Sequence, residues 1–284
     1  MKKILLLFVG FVLVPNIVYA DTIKNIDMEV NLNKDGSANI VETWDVKATE
    51  GAEWCKMISD SNELAISNFS VTMDGKLLEE VTWDPNGDIE SNADKFGIKY
   101  TNLGYELCFG KKDSKAHTFV LNYTLSDFVF NTDDGQVIYY TLLPKSTVDD
   151  FKVTIKSETK LDDNLEISGY GYNGYVNIED GVIELTNDKE LQNEYVVLLT
   201  KFKSDTFETD VKKEDYATYE SISNDVEDKH VIVAKVGKSN KVFKNNVLPV
   251  VIVSVIVIAL VICFVLIKKK KIDLSKLKIN KKNK

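Results

Sequence analysis

Alternation of apolar and polar positions dominates this chain. Ile26, Met28, Val30 and Leu32 alternate with polar neighbours, Asp35-Gly36 interrupts them, and Ala38, Ile40, Trp44 and Val46 resume the pattern. Successive strand side chains point to opposite faces, and Asp-Gly accepts the positive φ of a tight turn, so this stretch predicts a β-hairpin. The same punctuation recurs at Asp74-Gly75, Asn86-Gly87, Asp134-Gly135, Asn173-Gly174 and Asp180-Gly181. Phe119, Leu121, Tyr123 and Leu125 make one face of a further strand, with Thr118, Val120, Asn122 and Thr124 on the other. Phe151, Val153 and Ile155 open another, and Tyr195 to Phe202 gives the last long one. These segments lack the three-to-four spacing of helices, so the expected fold is all-β, with a β-sandwich-like ectodomain. Pro144 marks a border after Val137 to Leu143. A first lobe over 21–147 holds all three tryptophans, Trp44, Trp54 and Trp83. A second, over 148–203, is small for a free-standing core and is expected to pack on the first.

Two uninterrupted apolar runs break the alternation. Val247 to Ile267 is uncharged and is followed directly by Lys268, Lys269, Lys270 and Lys271. A helix of that length spans a hydrocarbon layer of roughly 30 Å. The lysine block then acts as the membrane stop and marks the cytoplasmic side. At the other end, Lys2 and Lys3 precede Ile4 to Val14, Pro15 breaks the run, and Val18-Tyr19-Ala20 offers a cleavage site. Residues 1–20 therefore read as a signal peptide cut between Ala20 and Asp21; an uncleaved anchor is the alternative, against which the short apolar core argues. Residues 204–246 read as an acidic stalk with a short helix around Tyr216, Tyr219 and Ile222. As a disordered chain it would span on the order of 35 Å. Residues 268–284 form a basic cytoplasmic tail with nine lysines against Asp273, suited to anionic headgroups.

Charge narrows the partners. Residues 21–246 hold 24 lysines and 43 acids, a net of −19, which argues against nucleic acid. Every basic residue in the chain is lysine. Two-pronged guanidinium clamping of carboxylate or phosphate is thus absent from its chemistry. Cys263 lies within the apolar run, leaving Cys55 and Cys108 to form one disulfide or to remain two free thiols.

Candidate chemistry is thin. Asn31, Asn33, Asp35, Gly36 and Glu42 match the spacing of a calcium loop, but both flanks alternate as strands instead of helices. His117 reads as a strand-end residue and His230 as solvated. Ser157-Glu158-Thr159-Lys160 has Ser-x-x-Lys spacing without its companion motifs, so it reads as chance. Asp133-Asp134 and Asp149-Asp150 are carboxylate pairs of the kind glycosidases use, yet 43 external acids produce such pairs by accident. Tyr170, Tyr172 and Tyr175 suggest local packing first and sugar stacking second. No catalytic, cofactor-binding or metal residue is assigned, and no cofactor is expected.

Several stretches resemble a known family. Ile23-x-Asn-x-Asp-Met-Glu-Val30, Lys34-Asp35-Gly36-Ser37-Ala38 and Val41-Glu42-Thr43-Trp44 are similar to the start of a bacterial predicted membrane protein family, domain of unknown function 2207. The resemblance continues through Ile66 to Gly75, Ala116-His117-Thr118-Phe119, Leu121-Asn122-Tyr123 and Gly169 to Gly174. It implies an exported β-rich domain tethered by membrane helices, without an established activity. The resemblance implies that larger members carry more membrane segments and cytoplasmic sequence than are read here.

The resulting expectation is a single-pass cell-membrane protein with its N-terminal domain extracellular and its tail cytoplasmic. It is a non-enzymatic, surface-displayed interaction domain whose partners are the bilayer and a protein or cell-envelope component. An accessory or scaffold subunit acting through its membrane helix is the alternative, and an envelope hydrolase the remaining one.

Overall fold

The computed structural model describes residues 23–239 apart from 48–50, 60–63, 102–103 and 214–215. The signal peptide and its Ala20/Asp21 junction, the apolar run 247–267, Lys268 to Lys271 and the tail lie outside the described residues. No helix among the described residues is long and apolar enough to cross a membrane.

In chain order the strands begin with β1 (Ile23–Leu32), β2 (Ala38–Val46), β3 (Ala52–Ser59), β4 (Ile66–Met73), β5 (Lys76–Leu77) and β6 (Glu79–Glu80). A four-residue helix α1 (Ile89–Asn92) precedes β7 (Lys95–Thr101), β8 (Gly104–Lys111), β9 (His117–Leu125) and β10 (Phe130–Thr132). The long β11 (Gly135–Ser157) is followed by β12 (Glu166–Tyr170), β13 (Gly174–Glu179), β14 (Val182–Asn187) and β15 (Leu191–Phe202). Helix α2 (Tyr219–Lys229) and the short β16 (Lys235–Val236) complete the set. The described chain is thus mostly strand with few helices, and its sheets are mixed and open.

The predicted first hairpin is present. Asn33 N–H donates to Ser37 O at 2.9 Å, Gly36 takes φ +80°, and β2 runs antiparallel to β1 with Met28 opposite Glu42. Asp74-Gly75 and Asp180-Gly181 turn tightly with positive φ at both residues, joining β4 to β5 and β13 to β14. The large sheet runs β16-β13-β14-β11-β1-β2-β9-β4-β5. Its centre is a parallel pair, β1 with the second half of β11, from Ile23 opposite Val148 to Leu32 opposite Ser157.

β11 is shared between two neighbourhoods. Residues 136–148 pair antiparallel with β15, and residues 148–157 pair with β1. The register slips between Thr141 and Thr147, around Pro144, whose missing N–H suits a break in the ladder. The strand is continuous through positions 147 and 148.

A second sheet, β3-β8-β7-β6, packs on one face of the first. Trp44 of β2 meets Phe109 of β8 edge-on at 5.5 Å, and Phe119 of β9 lies 4.8 Å from the same ring. Ile26, Met28, Val30, Phe151, Val153 and Ile155 belong to the same core and are fully buried.

Residues 204–213 and 216–239, within the stretch read as a stalk, pack on this body. Phe207 is buried and bracketed by Gln136, whose amide accepts from Phe207 N–H at 2.8 Å and donates to Phe207 O at 3.0 Å. Thr218 caps α2 in a reciprocal box with Ser221. Ile222 and Val226 are sealed against Phe130, Val137, Tyr170, Val197 and Leu199. Burying such side chains stabilises by about 1.5–3 kcal/mol each.

Candidate functional site

Two groupings of polar side chains stand out, one sealed inside and one across the opposite face of the large sheet. The inner one begins with alternation. Ile40, Glu42 and Trp44 occupy inward positions of β2, and Trp54, Lys56 and Ile58 do so on β3, so a carboxylate and an ammonium meet between the sheets. Lys56 Nζ donates to Glu42 Oε1 at 2.5 Å and to Leu142 O of β11 at 2.8 Å. Trp44 Nε1 donates to Glu42 Oε2 at 2.9 Å, and the Tyr123 hydroxyl of β9 donates to Oε1. Both charged side chains have 0% exposure. Burial pulls the Lys56 pKa below its ordinary value, with Glu42 opposing, and burial together with Glu42 pushes Tyr123 well above its own. The network ties four strands from both sheets to one carboxylate. Sealed from solvent among the described residues, it acts as a clamp between the sheets.

The outer grouping lies on the face of the large sheet turned away from the second sheet. Strand register places Thr72, Val120, Thr43, Asp27, Lys152, Thr186 and Tyr175 in one row from β4 to β13. A neighbouring row carries Ser70, Asn122, Val41, Glu29, Thr154, Glu184 and Asn177. Asp45, Asn25 and Asp150 make a third. Asp27 sits at the centre. Desolvation raises its pKa to about 6, with Lys152 opposing and Glu29, Asp45 and Glu184 adding to the rise. Lys152 Nζ pairs with Glu184 at 2.6 Å. The rows are net acidic through Asp27, Glu29, Asp45, Asp150 and Glu184, while Thr72, Val120, Thr43 and Thr186 of the central row are buried.

The sequence candidates disperse. Cys55 and Cys108 stand directly opposite on β3 and β8 and are joined as a disulfide, with Cα atoms 4.1 Å apart. Cys55, Glu106 and Cys108 place ligand atoms within 4.8 Å of one another, but sulfurs bonded to each other are not thiolate donors. The calcium-spaced residues do not converge: Asn31 faces out, Asp35 accepts from Ser37, and Glu42 points into the core. His117 is more than a strand end. Its Nδ1 meets Asp74 at 2.6 Å and its Nε2 meets Asp113 at 2.7 Å. Burial alone would lower the His117 pKa, and the two carboxylates outweigh it to raise it. His230 packs against the Tyr195 ring, and burial lowers its pKa.

Ser157 accepts from Thr159 N–H at 3.1 Å, and Lys160 lies on the rim of an open groove of about 430 Å3. That groove brings together Leu161, Asp162, Asp163, Phe202 and Lys203. Within it Lys203 bonds Asp162 at 2.9 Å, and Asp163 accepts from the N–H of Gly181 outside the groove at 2.8 Å. Burial opposes the ionised form of Asp134, yet Lys201, the Tyr219 N–H and Thr132 hold its pKa at about 2. Asp149 pairs with Lys47 at 2.9 Å. Tyr170 and Tyr172 are buried, so they form no stacking platform with Tyr175.

Sequence reasoning missed Glu42, Lys56 and Asp27. The signal was available for the first two, since each is a charge at an inward position of an alternating strand.

The family described as "Predicted membrane protein (DUF2207) N-terminal domain" matches residues 22–202. No curated protein matches the chain. Among solved structures, a Legionella pneumophila protein named for nutrient binding aligns at 9% identity over 63% of this chain and 66% of its own, with a TM-score of 0.39. An M1 zinc metallopeptidase from Deinococcus radiodurans aligns at 11% identity over 63% of this chain and 42% of its own, TM-score 0.34. Legionella pneumophila aminopeptidase A aligns at 11% over 63% and 21%, TM-score 0.36. The chain spans less than two thirds of the length of each of these. At such scores the likeness assigns no activity.

Proposed function

Since the chain belongs to the DUF2207 family of predicted membrane proteins, through that family's N-terminal domain, we propose that it is a membrane-anchored, outward-displayed β-rich interaction domain. In this reading residues 1–20 are a cleaved signal peptide, 247–267 are the single crossing, and 268–284 form a cytoplasmic tail. The β-sheets pack as a sandwich, and the work is recognition instead of catalysis. One observation carries the reading: the in-register polar face that runs across seven strands around Asp27. Holding a carboxylate at a pKa near 6 in mid-sheet opposes stability at neutral pH, a cost that binding faces tolerate. The charge balance of that face favours a partner with basic and hydrogen-bonding groups, from the cell envelope or outside it.

Protease shaving of intact cells tests the topology, with loss of the domain and retention of the tail expected. Crosslinked pull-downs then compare the full-length protein, an Asp27→Lys/Thr43→Lys variant and the bare 247–284 fragment. Partners held by the full-length chain should be lost from both others. Recovery of the same partners by the bare fragment would favour the alternative, an accessory subunit acting through its membrane helix.

A further inference from the structure

The segment after α2 combines three properties. The first is apolar exposure. Val231 is 95% exposed, Val233 54% and Val236 74%, and the 40% exposed Tyr195 stacks edge-on against His230 beside them. Four of the seven large hydrophobic residues exposed among the described residues therefore crowd one edge. The second is charge. From Lys229 to Asn246 the sequence holds five lysines and no acid, inside a region whose net is −19. Lys235 lies over the Tyr175 ring at 5.4 Å, and Lys238 pairs with the exposed Glu179.

The third is position. Gly171 N–H donates to Ile232 O, Ala234 N–H to Gly169 O and Gly237 N–H to Val176 O, each at 2.8–2.9 Å. These bonds tie residues 232–234 to the end of β12 and Gly237 to β13, where β16 ends the path of the large sheet, with Ala234 buried and Val231, Val233 and Val236 exposed. Val247, where the apolar run begins, is eight residues beyond Ser239. At full stretch that is about 28 Å, and less for any bent path.

We propose that the edge formed by residues 231–238 rests on the membrane surface, with its valines and Tyr195 at the headgroup boundary and its lysines on anionic phospholipid. The inference rests on residues 247–267 being the anchor. Lys229 and Lys238 are paired with Asp225 and Glu179, so Lys235 and, further along the sequence, Lys241 and Lys244 are the charges this margin offers to anionic lipid. Tyrosine and lysine beside exposed valines are the residues that water–lipid boundaries favour. The domain then lies tethered and oriented, with β5 at the far side of the sheet, eight strand spacings or about 38 Å away.

The test uses the full-length chain with Cys263→Ser, reconstituted in phosphatidylcholine vesicles with or without phosphatidylglycerol. Val233→Cys and, as the distant control, Lys76→Cys each carry an environment-sensitive fluorophore. With phosphatidylglycerol present, the label at 233 should shift to the blue and be quenched at least twofold by headgroup spin-labelled lipid, while the label at 76 does neither. Removing phosphatidylglycerol should halve the quenching at 233. A label at 233 as wet and unquenched as that at 76, in protein that floats with vesicles after alkaline washing, overturns the proposal while leaving the anchor intact. Protein that is stripped from vesicles by the wash overturns the anchor itself.

Discussion

Replacing Lys56 by methionine isolates the energetics of the sealed network. The variant keeps the volume and apolar stem of the side chain but leaves the Glu42 carboxylate buried with only the Trp44 N–H and the Tyr123 hydroxyl. Removing one partner of a buried ion pair costs about 3–5 kcal/mol, because the survivor keeps its desolvation penalty without its counter-charge. Glu42→Gln should cost a similar amount, since the Lys56 ammonium then faces an amide and Leu142 O alone. The double variant restores neutrality. Its remaining defect is the unpartnered Leu142 carbonyl, worth about 1–3 kcal/mol. It should therefore be no less stable than either single variant, far from the roughly 6–10 kcal/mol their sum would give. Trp44, Trp54 and Trp83 are all buried, so tryptophan emission of the full-length chain in detergent reports urea unfolding. With a slope of about 2–3 kcal/mol/M, each single variant should lower the midpoint by roughly 1–2 M. Single variants that lose under about 1 kcal/mol, or a double variant that loses the sum, would show that the pair is not the clamp argued for it.

Further outcomes follow from other residues. Asp27→Asn removes a carboxylate whose folded pKa is raised to about 6, so the folded state disfavours its charge. At pH 7.5 the substitution should stabilise by about 1–2 kcal/mol after allowance for partial solvation, and should abolish the loss of stability of the parent as pH rises from about 4 to about 6, as read by urea midpoints. His117 has a raised pKa, so its contribution is complete below the ordinary histidine value and is lost as pH climbs through the raised one. Melting temperatures from pH 6 to 8.5 should fall in the parent and stay level in His117→Gln relative to it, and equal slopes would refute the Asp74–His117–Asp113 bridge. Cys55→Ser/Cys108→Ser opens a crosslink of sequence separation 53 and should lower stability by about 4 kcal/mol on the chain-entropy argument, matched by two more thiols titrating in the unfolded parent after reduction than before it.

Local patterning was legible and long-range pairing was not. The Asp35-Gly36, Asp74-Gly75 and Asp180-Gly181 turns and the inward sets of β1 and β9 follow from period-two alternation and from residues that accept positive φ. Asn173-Gly174 shows where the same signal misleads: β12 and β13 flank it but pair with β15 and β14. A Cβ on Gly174 would stand 2.1 Å from Thr186 O, so that glycine serves close strand approach instead of a hairpin. Nothing in local pattern specifies the parallel union of β1 with β11. The stretch 204–239 reads as loosely patterned because its apolar anchors are spaced widely among acids and go to two separate clusters, Phe207 and Ala234 to the main core and Ile222 and Val226 to the smaller one under α2. The clamp escapes the sequence reading, because Glu42 and Lys56 are single charges at inward positions and only the packing of the two sheets reveals that they meet. Asp27 lies within the family pattern, but its perturbation comes first from burial and then from Glu29, Asp45 and Glu184, two of them on other strands, a combination that local sequence does not show.

The parallel pairing also sets a timetable for synthesis. β1 leaves the ribosome first, but the residues that flank it on one side, Val148 to Ser157, follow about 125 positions later. At 5–20 residues per second that is roughly 6–25 s during which the hairpin of β1 and β2 carries an unsatisfied rim of backbone donors and acceptors. Nascent chains halted before position 157 are thus the species primed for mispairing, and whatever escorts this protein to its destination must shield its first strand longest.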